Sequence, residues 1–353
     1  MQTDMHYYGT YAMAQAAGLH AAAAQVIAQS AEYVDDSDSI TIPLQDGTFL
    51  EAPATAHHPV NRANLDEIDQ RKIWIPFHFI PANQGESLEE RLVCRKDSGI
   101  AQEMVAHHAE LPNDGFSLEL MGITAHVYAD TFSHYGFSGI SSDRNRVDAD
   151  SITLHVKDKS VLNYIVNKTK DFKDRYIFGA AANALSGLGH GAVSTYPDRP
   201  YLRWSFRYET TKDLSGDRVN HATFLEACEK LHRMFSVFGE AHPTLLDKQS
   251  YRRFDDIKDA LARILAVEGG MAVRVSTWQD AVKSGAIFPN PTKEQIPVYA
   301  KNFEKDIEIL GGHTSETIFG TSGYAFLRAA KFHRDYVLDE LLPKHNLHVL
   351  VRS

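Results

Sequence analysis

Three polar residues at a spacing of four constrain this chain more than any other feature. In GITAHVYADTFSHYGFSG, residues 122–139, the residues are His126, Asp130 and His134. On an α-helix, positions four apart drift by only roughly 40° and rise about 6 Å, so the three share one face. Their neighbours Ile123, Val127 and Phe137 are apolar, so that face is expected to be buried. A buried imidazole or carboxylate needs partners. Any fold of this chain must therefore bring polar groups from elsewhere to residues 126–134. Metal ions suit the spacing. His126 with Asp130 can grip one ion and Asp130 with His134 a second, the carboxylate bridging, which is the geometry behind HxxxD and HExxH ligand patterns. The plain alternative is a polar stripe on a partly exposed helix. A metal site needs ligands from other elements, so the rest of the chain decides.

Candidates are present. His6 stands just before the expected first helix, in DMHYYGTY, where a cap or an exposed residue is the alternative. Asp35 and Asp36 close the second helix in AEYVDDSDS. Two carboxylates at a helix C-terminus oppose its dipole, and either a cation or solvation offsets them. His78 lies between Phe77 and Phe79 in IWIPFHFI, where a buried ring needs a core hydrogen bond or a metal. His190 sits between glycines that allow close backbone approach. Asp198 follows in TYPDRPYLRW, a proline turn of the kind that holds functional residues. With 18 histidines in the chain, some patterning arises by chance. His57, His58, His107, His108, His221, His232 and His242 read as exposed or partly exposed background.

The remaining sequence reads as mostly helical. Alanine-rich helices are expected over 7–17 and 20–34, parted by Gly18, and others over 86–95, 98–110, 116–135, 157–185, 217–238, 250–266, 273–283, 293–310 and 322–342. A hairpin or loop is expected within 38–60, a buried extended segment at 73–80, and an ordered loop at 187–205. The expected class is all-α with a few short strands or loops. It is read as one domain over 1–353, with a core in 1–205 and a helical extension from about 245. A net charge of −10 argues against a duplex nucleic-acid partner, though bound metal ions would still admit a phosphate-bearing substrate. The N-terminus has neither a basic region nor an apolar run, and no stretch approaches the roughly 18 to 20 apolar residues of a membrane span. A cytoplasmic protein is expected, with signal-independent export left open. Cys94 and Cys228 form no CxxC and read as reduced thiols.

The phrases AHVYADTFSH and VDDSDSITIP, with the order of the candidates along the chain, resemble the zinc-dependent phospholipase C and single-strand nuclease superfamily. The opening HYYGTY is similar to that of a bacterial family of unknown function with the same motifs. The resemblance spans residues 1 to about 205. It implies a helical phospholipase C/nuclease-like fold holding two or three zinc ions, with iron or manganese as substitutes. It implies that Asp130 bridges two ions. His78, His126 and one of Asp35 and Asp36 would hold the first, and His134, His190 and Asp198 the second. His6 would serve a third. The free member of the Asp35/Asp36 pair would be the general base, acting on a small-molecule or lipid phosphoester.

Two departures stand out. Position 194 is Ser where the superfamily reads HxxxE, so Asp198 or Glu209 must supply that carboxylate. The superfamily's metal-binding N-terminal tryptophan is absent, and Met1 is not expected to replace it. Tyr7, Tyr8, Trp74, Phe137, Tyr196 and Tyr201 are expected to line the cleft or else to pack in the core. The rival functions are an iron or manganese oxygenase and a non-catalytic metal-binding interaction protein. An HD phosphohydrolase is set aside because the chain has no adjacent His-Asp pair.

Overall fold

The computed structural model describes residues 1–38, 41–56, 66–112, 114–176 (backbone alone for 172–176), 187–210, 216–288 and 295–350. Its first helix begins as a wide π-type turn, Asp4–Gly9, and continues as α1 (Thr10–Ala16). Then come α2 (Ala21–Asp36), α3 (Gly99–Glu110) and α4 (Ser117–His134), which carries the spaced triplet. After α5 (Lys159–Tyr176) follow α6 (Asn220–Ala241), α7 (Phe254–Leu265), α8 (Met271–Lys283), α9 (Asn302–Gly311) and α10 (Ser322–Asp335). Among the described residues, no helix is long and apolar enough to cross a membrane.

Helix α4 is the axis of the molecule. It packs on α2, α3, α6 and α10, so it is buried on nearly every side. That explains why its sequence is apolar all round rather than on one stripe. The contact with α2 is the closest. A Cβ on Gly122 would sit 2.4 Å from Ile27 O and 2.6 Å from Ser30 Cβ. Glycine there, facing the alanine-rich side of α2, lets the two backbones touch. One turn later this brings His126 Nδ1 within 2.7 Å of Ala31 O.

The chain is mainly helical but not all-α, because two small antiparallel sheets are present. The expected hairpin is β1 (Thr41–Pro43) with β2 (Phe49–Glu51), pairing Ile42 with Leu50 and turning at Gly47, whose φ is +79°. The second sheet was not expected. It orders β3 (Val147–His155), β4 (Arg203–Tyr208) and β5 (Gly216–Val219) side by side. In β4, Trp204, Phe206 and Tyr208 alternate onto a buried face with Phe137 and Val193. Arg218 of β5 lies over the rings of Tyr135 and Phe137 and donates to Ser133 O and Tyr135 O. A buried guanidinium thereby closes the C-terminal end of α4.

Other expectations change. IWIPFHFI is not extended. It runs from a π-type turn, Gln70–Trp74, into a helical turn, Ile75–Phe77. Pro76 falls at the start of that turn, where a missing N–H costs little. The helix expected over 86–95 is only Leu88–Arg91, closed by a Ser87/Glu90 capping box. The end of the helix expected to 185, positions 293–294, and His57 and His58 lie outside the described residues. Both cysteines are buried and unpaired.

Candidate metal centre

Five imidazoles and three carboxylates converge where α2, the turn ending at Phe77, α4 and the loop after Leu188 meet. Four of the rings are held alike. His126 Nδ1 lies 2.7 Å from Ala31 O, and His78 Nε2 2.8 Å from Thr55 O. His134 Nδ1 lies 2.9 Å from His78 O, and His190 Nδ1 2.7 Å from Ser194 O. A carbonyl only accepts, so each of these nitrogens carries the ring proton. In a neutral ring the other nitrogen presents a lone pair to the interior, as histidine ligands of metals do, and in a protonated ring it donates to the carboxylate it faces.

Those inner lone pairs face other electron-rich atoms. His126 Nε2 and His78 Nδ1 are 3.2 Å apart. Asp130 Oδ2 is 3.3 Å from the first and 3.4 Å from the second. Asp35 Oδ1 lies 3.9 Å from both. On the other side, His134 Nε2 is 3.1 Å from Asp198 Oδ1 and His190 Nε2 is 3.7 Å from Asp198 Oδ2. The His6 ring stacks on His126 at 3.7 Å, with Nε2 3.2 Å from Asp130 Oδ1 and Nδ1 without a partner among the described residues. Lone pair against lone pair in a buried site is unfavourable unless a cation lies between them. This convergence fits a metal ion, and the imidazole and carboxylate donors suit zinc, iron or manganese.

A cation of the chain itself, the Met1 ammonium, reaches these groups. It lies 2.5 Å from Asp130 Oδ1 and 3.4 Å from Asp198 Oδ1. Burial would lower its pKa, but Asp130, Asp198 and Asp35 outweigh that and raise it to about 11. Burial alone would raise Asp130; positive charge on the His134 ring when protonated, the ammonium, and then charge on His126 and His6 when protonated overcome it and hold the carboxyl well below its usual range. Asp198 is held low in the same way against burial, by the ammonium, His190 and His134. His6 is pushed down to about 3, by burial first and then by His126. His190 falls to about 4, chiefly through burial.

Eight of the nine expected ligands therefore meet here: His6, Asp35, His78, His126, Asp130, His134, His190 and Asp198. His6 is not a cap before the first helix but buried inside its opening turn. Asp36 is the exception. It is turned away to accept a hydrogen bond from the Tyr299 hydroxyl and stands outside the groups of donors that meet here. Of the two carboxylates considered in place of one at position 194, Asp198 lies beside His134 and His190, while Glu209 is exposed beside β4. Met1 does reach the cluster, against expectation, because the opening π-type turn folds its amine inward.

The centre forms the floor of a cavity of about 440 Å³. Of the six aromatic residues named from sequence, Trp74 lines it; the other five pack in the core. Phe79, which sequence passed over, also lines the cavity, its ring in edge contact with Trp74. Gly189, at φ +52°, lets the His190 loop pass so near that a Cβ would lie 2.6 Å from the Phe79 ring. Asn220 supports the same loop. Its side-chain amide donates to Tyr196 O and Arg199 O, and its carbonyl accepts from Trp204 Nε1. Glu32, buried one turn before Asp35, also lines the cavity. Two histidines assigned to the surface, His108 and His232, are buried.

No curated protein and no solved structure matches this chain. A family model matches residues 1–341, nearly the full length, and the chain belongs to that family, described as a family of unknown function (DUF6765).

Proposed function

We propose that this protein is a metal-dependent hydrolase acting on a phosphoester or phosphodiester. The observation that carries the reading is the set of four imidazoles pinned by backbone carbonyls, their free nitrogens directed at Asp35, Asp130 and Asp198. Asp35, His78 and His126 would hold one ion, and His134, His190 and Asp198 another. Asp130 stands between them, and His6 with the Met1 amine would serve a third. Bound divalent ions supply Lewis acidity toward a phosphoryl oxygen and toward water. The chain's own residues do the remaining work. Asp35, the most solvent-exposed carboxylate of the cluster, is placed to orient water entering from the cavity. Trp74, Phe79 and Leu188 give the cavity an apolar wall suited to the organic part of a small or lipid ester. The order of donors along the chain, which resembles the phospholipase C and nuclease superfamily, favours the phosphoester class.

The test is metal analysis joined to an assay. Protein folded with zinc should retain at least two ions per chain and hydrolyse bis(p-nitrophenyl) phosphate. Less than one retained ion defeats the proposal. Ions without hydrolysis leave a metal-binding interaction protein, and oxygen consumption with iron would indicate an oxygenase.

A further inference from the structure

The strongest unexplained group in the cavity wall is Glu32. It is 5% exposed, one helical turn before Asp35, and borders the cavity. Its Oε1 accepts a hydrogen bond of 2.6 Å from the Thr3 hydroxyl. Its Oε2 is buried with no partner among the described residues. The groups that bear on it are Asp35 and Asp36 of its own helix, Asp4 of the opening turn, and the phenols Tyr7, Tyr8 and Tyr299. None of these is a cation. The nearby cations are engaged elsewhere, the Met1 ammonium with Asp130 and Arg274 with Asp4. An ionised Glu32 would leave a negative oxygen buried and unpaired. A protonated Glu32 is satisfied at Oε1 and offers an O–H from Oε2. Burial first, and Asp35 next, push its carboxyl well above the usual carboxylate range.

We infer that Glu32 is the general acid that protonates the leaving oxygen, with Thr3 fixing which carboxyl oxygen holds the proton. The inference rests on the hydrolase reading above. As the P–O bond to the leaving group breaks, its electron pair goes to the leaving oxygen. Oε2 gives its proton to that oxygen and keeps the bonding pair as carboxylate. The product departs as an alcohol. The attacking water adds its oxygen to phosphorus, and the proton it sheds returns through solvent to Glu32.

Zinc-loaded protein and its Glu32→Gln variant would be compared on a p-nitrophenyl phosphodiester and on the alkyl ester of the same phosphoryl group. An alkoxide needs a proton to leave, whereas nitrophenolate needs far less help. The variant should lose roughly 10²- to 10⁴-fold on the alkyl ester and much less on the aryl ester. The alkaline fall of the wild-type rate on the alkyl ester, where Glu32 ionises, should vanish. The infrared stretch of a protonated carboxyl should be present in the zinc-loaded wild type and absent from the variant. Thr3→Val, a milder change, should shift the ratio of the two esters in the same direction by less. Equal loss on both esters, loss of zinc from the variant, or no protonated-carboxyl band in the wild type would each overturn the inference. Wild-type protein that cleaves neither ester would remove the hydrolase reading, and the acid with it.

Discussion

Two groups of mostly buried histidines in this molecule satisfy their rings in opposite ways. In the string His107–His108–His333, nitrogen meets nitrogen at 2.9 and 3.1 Å, and the string ends with His333 Nε2 donating to Pro76 O at 2.8 Å. That last bond sets every tautomer. The lone pairs of His108 and His333 each receive an N–H, and the string opens outward at the half-buried His107. Around Asp130 the carbonyl bonds set the tautomers too, but there each free lone pair meets another lone pair or a carboxylate. Burial of histidine is common to both and does not mark a ligand. What the second nitrogen faces does.

The most severe way to break this contrast is Asp130→Asn. Asp130 touches the Met1 amine and four of the five histidines of the centre. Metal analysis should find the ions gone, with activity reduced by more than the roughly 10- to 100-fold typical of an orienting residue, and helicity by circular dichroism retained. Full ion retention would make Asp130 structural.

The string should respond to acid instead of to metal. Burial lowers the His333 pKa to about 4 from 6.5. The unfolded chain takes up that proton more readily, so this contribution to stability is present above pH 6.5 and is lost as pH falls toward 4. For a fully buried ring the loss is about 3 kcal/mol. Urea unfolding of the wild type across this range should show it, and His333→Gln should diminish the acid loss by about that amount, with the zinc content unchanged and the contributions of His108, His6 and His190 remaining. Loss of zinc in that variant would mean that the bond to Pro76 positions His78, and the two groups would be one.

Smaller changes sharpen the comparison through packing. Gly122→Ala forces a Cβ against Ile27 O and Ser30, and should cost about 1–3 kcal/mol in denaturant unfolding, with weakened zinc retention because His126 moves with the helix. Asn220→Ala leaves the Tyr196 carbonyl without its side-chain donor and the buried Trp204 indole N–H without its acceptor. It should cost about 1–3 kcal/mol and release the ion bound through Asp198 before the one bound through Asp35.

The centre was more legible in the sequence than the fold around it. Ligand spacing on one helix, and histidines embedded in apolar or glycine-rich surroundings, are local patterns that survive without knowledge of topology. The choice between Asp35 and Asp36 was not local. It depends on Tyr299, far along the chain, drawing Asp36 aside. The three-stranded sheet was missed because β3, VDADSITLH, is largely polar and gains its partner only from residues 203–208. The Met1 amine and Glu32 carry no spacing signal, and only the inward fold of the opening turn reveals them.

The carbonyls that orient the rings belong to Ala31, Thr55, His78 and Ser194. Every amino acid has that oxygen. Side-chain replacement at 31, 55 or 194 therefore leaves the orienting layer in place so long as the backbone keeps its path. Sequence drift among relatives can erase any residue-level trace of this layer while the donors themselves stay fixed. A search for the family's functional positions by residue identity will see the ligands and miss what aims them.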